Sequence, residues 1–160
     1  MADVARACPA ATLTIVGDGP DKPYYESLIL RLGLKDHVRI EPWRNNLAPF
    51  YTSFDLFALP SYIEGWGRAV IEAMAAGLPV AMTDVGVAGE IVQDGVNGSV
   101  VPVNDQPALT DALITLCRSP ELRDAYAASA RETALHLFPR TNEEYLIQWR
   151  KSFDCCTVSP

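Results

Sequence analysis

Apolar residues recur along this chain in two alternating patterns. Runs of three to six mostly apolar positions predict short strands, and longer segments with apolar residues at helical spacing predict helices between them. The predicted strands cover residues 11–16, 38–40, 55–59, 78–83 and 99–103. The predicted helices cover residues 24–32, 47–54, 67–76, 107–117, 121–137 and 142–149, with a helical turn at 90–93 and turn signals at Asp94-Gly95 and Asn97-Gly98.

Alternation of short strands with helices is typical of an α/β domain. It predicts a Rossmann-like, three-layer fold in which a mostly parallel sheet has helices on both faces. We expect one domain over residues 1–150 and a tail over 151–160. In such sheets ligands bind at the carboxyl ends of the strands. The turn Gly17-Asp18-Gly19 and the segment 61–67 each follow a predicted strand, so they should lie on one rim.

The segment 64–80, with the sequence EGWGRAVIEAMAAGLPV, carries the clearest chemistry. Between residues 69 and 83 the only charged side chain is Glu72. A carboxylate among so many apolar neighbours is at least partly removed from water, so it needs a partner or a ligand. Glu72 is therefore a candidate binding residue, and Glu64, eight positions earlier, is a second one.

Glycines frame the helix that carries Glu72. Gly65 and Gly67 allow a close approach of the backbone, whereas Gly77 followed by Pro79 stops a helix. The free amides of the first helical turn, those of Gly67, Arg68 and Ala69, then form a site where a phosphate can bind. At ~1.5 Å per residue the two carboxylates lie roughly 10 Å apart along the axis. This spacing suits a sugar, a diphosphate and a ribose in succession.

Composition excludes several other classes. The chain has 160 residues, of which 49% are hydrophobic, so it can bury a core. Its formal net charge of −7 argues against a nucleic-acid or anionic-membrane surface. No apolar run is long enough for a transmembrane segment and no signal peptide is visible, so we expect a cytoplasmic protein, with peripheral membrane attachment of a full-length form left open. The cysteines and acidic residues have no metal-ligand spacing, so we expect neither metal nor cofactor.

Four segments together resemble a known family. They are IVGDGP at 15–20, DLFALPS at 55–61, EGWGRAVIEAMAAGLPV at 64–80 and GVAGEIVQDGVNGSVVP at 86–102. In order and separation they are similar to the C-terminal, donor-binding domain of a GT-B glycosyltransferase of the GT4 family, also called group 1. The resemblance covers residues 13–149 and implies one half of a GT-B fold.

The resemblance also implies roles for individual residues. Glu64, the candidate catalytic residue, is similar to the family glutamate that binds hydroxyls of the transferred sugar, and Glu72 to the one that binds the nucleoside ribose. The backbone at Trp43 and Arg44 falls where the family holds the base, although Trp43 could equally be a core or rim aromatic. Asp18 is either a turn former or a ligand contact. The donor-binding positions implied in this way are Gly17, Asp18, Gly19, Trp43, Arg44, Gly65, Trp66, Gly67, Arg68, Ala69 and Glu72.

The implied reaction is transfer of a sugar from a nucleotide diphosphate, UDP or GDP, to an acceptor hydroxyl with retention of configuration and without a metal. The family's donor domain normally opens with an additional strand, a Gly-Arg loop and a downstream Lys that clamp the diphosphate, and we expect this strand and clamp to be missing here. The acceptor, a glycan, lipid or small molecule, would bind to an N-terminal domain that is also missing. We therefore expect the isolated chain to bind nucleotide weakly and to transfer sugar poorly or not at all.

Two other functions remain open at this point. One is a non-catalytic nucleotide-sugar binding fragment or degenerate paralogue, which would bind a donor without turnover. The other is a glycoside hydrolase in which Glu64 and Glu72 act as acid and base, because such carboxyl pairs are ~5–10 Å apart. Helix-start amides suit a phosphate better than a neutral glycoside, and this favours the transferase.

Overall fold

The computed structural model describes residues 1–44 and 47–137. Within these ranges helices and strands alternate, as the apolar pattern predicts. In chain order the elements are α1 (Ala2–Ala7), β1 (Leu13–Val16), α2 (Lys22–Arg31), β2 (Val38–Glu41), α3 (Ala48–Tyr51), β3 (Phe57–Leu59), α4 (Arg68–Ala75), β4 (Val80–Thr83), β5 (Gly98–Val101), α5 (Gln106–Arg118) and α6 (Pro120–Leu137).

All the described strands pair in parallel, which confirms the predicted α/β architecture. They form two sheets: β1 pairs with β2, and β4 lies between β3 and β5. In the first sheet Leu13 is opposite Val38, and in the second Val80 is opposite both Phe57 and Gly98. The carboxyl ends of β3, β4 and β5 therefore point to the same edge of their sheet, and those of β1 and β2 share an edge of theirs.

The structure differs from the sequence-based expectations in a few elements. Helix α1 was not predicted; it is six residues long, and its Val4 and Ala5 are buried. Residues 89–91 form hydrogen-bonded turns and not a helical turn, and Gly98 begins β5 instead of closing a turn. The predicted helix at 142–149 and the tail lie outside the described residues.

Helix α4 packs its apolar face into the largest buried cluster of the described chain. This cluster joins α4, β4, α6 and the segment between β4 and β5. Its buried members are Val70, Ile71, Met74, Val80, Met82, Val87, Ile91, Val92, Ala130 and Ala134. Burial of one such aliphatic side chain contributes about 1.5–3 kcal/mol. Because this buried face holds α4 in place, the first turn of the helix and the side that carries Glu72 are also fixed in position.

Burial is uneven between the strands. All four residues of β4 are buried, as expected for a strand with neighbours on both edges and helices on both faces. By contrast, β1 and β3 contain no buried residue, although both are mostly apolar. Each of them has an edge that pairs with none of the described strands.

None of the described helices has both the length and the apolar character that crossing a membrane requires.

Candidate functional site

The loop after β3 leads directly into α4. Gly67 is the residue that caps α4, and its φ of +76° is left-handed, a conformation that glycine adopts without steric cost. No side chain caps this helix within the part of the chain that the structure describes. The first-turn amides thus keep the positive end of the helix dipole available to an anion. The predicted helix and its start are confirmed to within one residue.

Glu72, in the second turn of α4, has a partner on each carboxylate oxygen. Its Oε1 lies 2.9 Å from Nε of Arg68, and its Oε2 lies 3.3 Å from the hydroxyl of Tyr51. The side chain of Glu72 is 36% exposed. The sequence-based expectation of a partly desolvated carboxylate that needs partners is confirmed.

Tyr51 reaches Glu72 from the end of α3. Burial, the negative charge of Glu72 and the hydrogen bond to it together raise the pKa of Tyr51 to about 12, and burial contributes most. The phenol therefore keeps its proton at neutral pH and donates it toward the carboxylate. Sequence reasoning missed this residue, because 21 positions separate it from Glu72.

Glu64 is held by Ser61, and Ser61 is held in turn by Thr83. The hydroxyl of Ser61 donates to Oε1 of Glu64 at 2.8 Å, and the carbonyl of Ser61 accepts a hydrogen bond from Oγ1 of Thr83 at 2.6 Å. Thr83 is the last residue of β4 and is only 6% exposed. A buried strand end thus positions the loop that carries Glu64. In the sequence the only signal for Thr83 is a hydroxyl at the end of an apolar strand.

Gly86 supports the same loop from the other side. A Cβ at this position would lie 3.1 Å from Cβ of Glu64 and 3.2 Å from the carbonyl oxygen of Trp66. The φ of Gly86 is +57°, so a side chain would also be strained. The backbone can approach Glu64 and Trp66 this closely only with glycine here.

Asp18 connects the turn after β1 to the loop after β2. Its Oδ2 accepts a hydrogen bond from the backbone amide of Trp43 at 2.8 Å, and its Oδ1 lies 3.5 Å from Nζ of Lys22. Gly17 donates its amide to the carbonyl of Glu41 at 3.0 Å. The two loops at this end of β1 and β2 are therefore tied together. The expectation that residues 17–19 share a rim with residues 61–67 stays a prediction, because these two segments follow strands of separate sheets.

Trp43 and Arg44 follow β2 at this rim. Trp43 is 66% exposed, so it is a rim residue and not a core aromatic. The Arg44 guanidinium lies 2.8 Å from Oε2 of Glu41 and 4.7 Å from the centre of the Phe50 ring. Since Phe50 and Tyr51 are neighbours in α3, this helix contacts both the loop after β2 and Glu72.

The remaining predicted positions differ in their exposure. Gly19, Gly65, Trp66 and Arg68 are exposed, Ala69 is half-buried, and Gly67 is buried. Among the described residues, no three acidic, His or Cys side chains are grouped in a way that could hold a metal ion. The arrangement offers two oriented carboxylates that can accept hydrogen bonds from hydroxyl groups. Between them in sequence lie helix-start amides that can donate hydrogen bonds to phosphate oxygens.

Comparison with known proteins connects this geometry to a family. The family described as glycosyl transferases group 1 matches residues 1–133. An alpha-D-kanosaminyltransferase of Streptomyces kanamyceticus is 34% identical over 131 residues, which is 81% of this chain and 34% of that protein. This chain spans about a third of the length of the first curated relatives it matches.

Two crystal structures show the same fold. S. aureus TarM superposes with a TM-score of 0.83 at 23% identity, over 94% of this chain and 30% of that one. Anabaena HepE, in a complex with UDP and glucose, superposes with a TM-score of 0.80 at 27% identity, over 98% of this chain and 44% of that one. The parallel sheets and helices described here form part of a GT-B fold. The chain belongs to the group 1 glycosyltransferase family.

Proposed function

We propose that this chain is the donor-binding domain of a retaining glycosyltransferase of the GT4 type. The observation that carries the proposal is the pair of oriented carboxylates that flank a helix start without a side-chain cap in the described structure. Hydroxyl donors hold both carboxylates, Ser61 at Glu64 and Tyr51 at Glu72. Carboxylates fixed in this way are suited to accept hydrogen bonds from sugar hydroxyls.

Each part of a nucleotide sugar has a place along this site. Glu64 accepts hydroxyls of the transferred sugar, and Glu72 accepts hydroxyls of the ribose. The amides from Gly65 to Ala69 face the sugar and the diphosphate, and the backbone at Trp43 and Arg44 lies beside the base. The turn at residues 17–19 supports the base loop through the contact between Asp18 and Trp43. UDP is the first candidate nucleotide, because HepE has been crystallised with UDP and glucose, and GDP is the alternative.

The chemical step that this site assists is departure of the nucleoside diphosphate. When the glycosidic bond to phosphate breaks, negative charge grows on the diphosphate and positive charge on the sugar. Amides at the start of α4 stabilise the first of these charges, because they point at it without reorganisation. Glu64, close to the sugar, favours the second. The acceptor oxygen forms the new glycosidic bond on the face that the diphosphate leaves, and the proton of the acceptor hydroxyl passes to the departing diphosphate oxygen.

We expect complete transfer to need more than this chain. The chain spans about a third of the first curated relatives, so the acceptor, a glycan, lipid or small molecule, would bind in a further domain. A Gly-Arg and Lys clamp of the family's kind would add charged hydrogen bonds of about 1.5–3 kcal/mol each. The isolated chain should accordingly bind nucleotide weakly and transfer sugar slowly or not at all.

Calorimetric titration with UDP, GDP, ADP and UDP-glucose tests the proposal. One diphosphate should bind in preference to the others, and Glu72→Ala should weaken its binding at least about tenfold through loss of charged hydrogen bonds. Glu132→Ala is the matched control, because Glu132 is an exposed glutamate on α6. Failure of every nucleotide to bind the folded chain, or equal binding by wild type and Glu72→Ala, would contradict a donor site. Donor binding without transfer when an acceptor domain is supplied would favour the non-catalytic alternative.

A further inference from the structure

Tyr51 is a buried residue whose ring is fixed on several sides. It is 6% exposed and packs with Ala73 and Leu78 in one buried cluster. Its ring meets that of Phe57 edge to face, with centroids 6.1 Å apart. Because α4 and β3 both contact the ring, the hydroxyl at its end has little freedom to move.

The hydroxyl of Tyr51 points at two acceptors on α4. Oε2 of Glu72 lies 3.3 Å away and the carbonyl oxygen of Ala69 lies 3.4 Å away. A phenol has one proton to donate, and a carboxylate is the stronger acceptor of the two. The negative charge of Glu72 contributes to the raised pKa of Tyr51, which agrees with this direction of donation.

The two partners of Glu72 differ in their surroundings. Arg68, on Oε1, has a side chain that is 89% exposed. An ion pair with such a side chain is screened by water and costs side-chain entropy, so it fixes the carboxylate only weakly. Tyr51, on Oε2, is already immobilised by its packing. The orientation of the carboxylate is therefore set mainly by the tyrosine.

We propose that Tyr51 is a positioning residue that fixes the Glu72 carboxylate for recognition of the ribose hydroxyls of the donor. The inference rests on the proposed function, in which Glu72 accepts these hydroxyls. A carboxylate that is held in one orientation accepts ribose hydroxyls without losing further rotamer freedom. Tyr51 thereby determines how strongly the site prefers a ribonucleotide to its deoxyribose analogue. It acts through Glu72 and does not itself contact the nucleotide.

The experiment compares the affinity of the protein for UDP with its affinity for dUDP, the deoxyribose analogue. The same comparison is made in parallel for GDP and dGDP. The wild type should prefer the ribonucleotide. Tyr51→Phe removes only the hydroxyl and keeps the ring that packs in the core. It should weaken ribonucleotide binding by roughly three- to tenfold, the effect of about one hydrogen bond, and deoxynucleotide binding by less, because a deoxyribose offers Glu72 one hydroxyl fewer. Tyr126→Phe, at a buried tyrosine in a separate cluster, should keep the wild-type preference.

A double-mutant cycle shows whether the effect passes through Glu72. In a Glu72→Ala background, Tyr51→Phe should have no further effect on ribonucleotide binding. Equal losses for UDP and dUDP in Tyr51→Phe would show a merely structural role and overturn the inference. An unchanged preference in Tyr51→Phe, together with a preference that Glu72→Ala abolishes, would overturn the inference and leave the donor site standing. A wild type without any nucleotide binding would overturn both.

Discussion

Tyr51 is a phenol that is buried beside a carboxylate, and both its burial and the neighbouring carboxylate oppose its ionisation. Burial, the Glu72 charge and the hydrogen bond to Glu72 raise its pKa from 10.0 to about 12. In the unfolded chain the phenol regains its ordinary pKa, so between these two values the folded state binds more protons than the unfolded state. The free energy of unfolding is then highest below pH 10 and falls as the pH rises toward 12.

This linkage predicts an alkaline loss of stability that depends on one hydroxyl. Between pH 9 and pH 12 the wild type should lose about 2 kcal/mol more than Tyr51→Phe, which has no phenol to ionise. Denaturant unfolding at several pH values measures the difference. Glu72→Gln should reduce it only in part, because burial remains the larger cause. Parallel pH profiles for wild type and Tyr51→Phe would contradict the assignment.

Alanine substitutions at Gly86 and Gly89 should have similar effects on stability but different effects on sugar binding. Gly86→Ala places a methyl group 3.1 Å from Cβ of Glu64 and strains a left-handed residue, so both the loop and the local backbone must shift. Gly89 is the matched control: its φ is +76°, but nothing lies within 4 Å of a Cβ there. Each substitution should cost about 1–2 kcal/mol of unfolding free energy.

The two alanine variants should differ in ligand binding. Gly86→Ala should lower the affinity for UDP-glucose more than that for UDP, because it displaces Glu64, the residue proposed to bind the sugar. Gly89→Ala should bind both ligands as the wild type does. Calorimetry on the two variants measures this, and equal effects of Gly86→Ala on UDP and UDP-glucose would remove Glu64 from the sugar site.

Among the secondary-structure elements, β5 shows how close backbone packing escapes sequence reasoning. The pair Asn97-Gly98 predicts a turn, whereas in the structure Gly98 is the first residue of β5. A Cβ on Gly98 would lie 2.7 Å from Cγ1 of Val92 and 2.9 Å from the carbonyl oxygen of Val80. The glycine is required because β5 begins against Val80 of β4, and nothing local in the sequence reports that approach.

We therefore expect Gly98→Ala to destabilise the protein at least as much as Gly86→Ala or Gly89→Ala. Overpacking of a buried site costs about 1–3 kcal/mol, and here the backbone oxygen of Val80 cannot move aside without breaking the pairing of β4 and β5. Thermal and denaturant unfolding measure the loss. Ser99→Ala, at the next position of the same strand, should change the stability by less than about 0.5 kcal/mol. Similar stability of the two variants would contradict the packing argument.

The difference between local sequence and contacts distant along the chain explains which parts of the site the sequence predicts. Glu64, Glu72 and the glycines around the start of α4 belong to one local segment, and their chemistry follows from spacing along it. Tyr51 and Thr83 act through contacts across 21 and 22 positions of the chain. Such contacts depend on how elements pack, and periodicity alone carries no information about them. Helix α1 was missed because it is short and depends on its contact with α5, where Arg118 donates to the carbonyl of Ala7 at 3.1 Å.

For the whole molecule, the division into two sheets has a simple physical interpretation. The strands are ordered β2-β1 in one sheet and β3-β4-β5 in the other. One additional parallel strand between β1 and β3 would turn this into the order 3-2-1-4-5-6 of a doubly wound sheet. The outer strands β2 and β5 contain buried residues, whereas β1 and β3 contain none. This is the reverse of what outer and inner strands normally show.

We therefore expect an added strand to complete the sheet and to strengthen the donor site. The test joins to the N-terminus the opening strand and loop of a relative's donor domain, the element that the family resemblance implies. The extended chain should unfold several degrees higher, because burial of β1 and β3 adds apolar contacts and new ladder hydrogen bonds. Amide exchange at residues 13–16 and 57–59 should slow. UDP should bind more tightly, since ligands bind where the strand order reverses.

Two control chains show whether the gain comes from strand pairing. An extension with the same composition in scrambled order should leave the melting temperature and UDP affinity at the values of the original chain. A second, with Pro at the centre of the added strand, should lose most of the gain, because proline removes a ladder hydrogen bond inside a sheet. Equal stabilisation by all three extensions would mean that β1 and β3 do not receive a strand. A gain in stability without a gain in UDP affinity would place the donor site away from the junction of the two sheets.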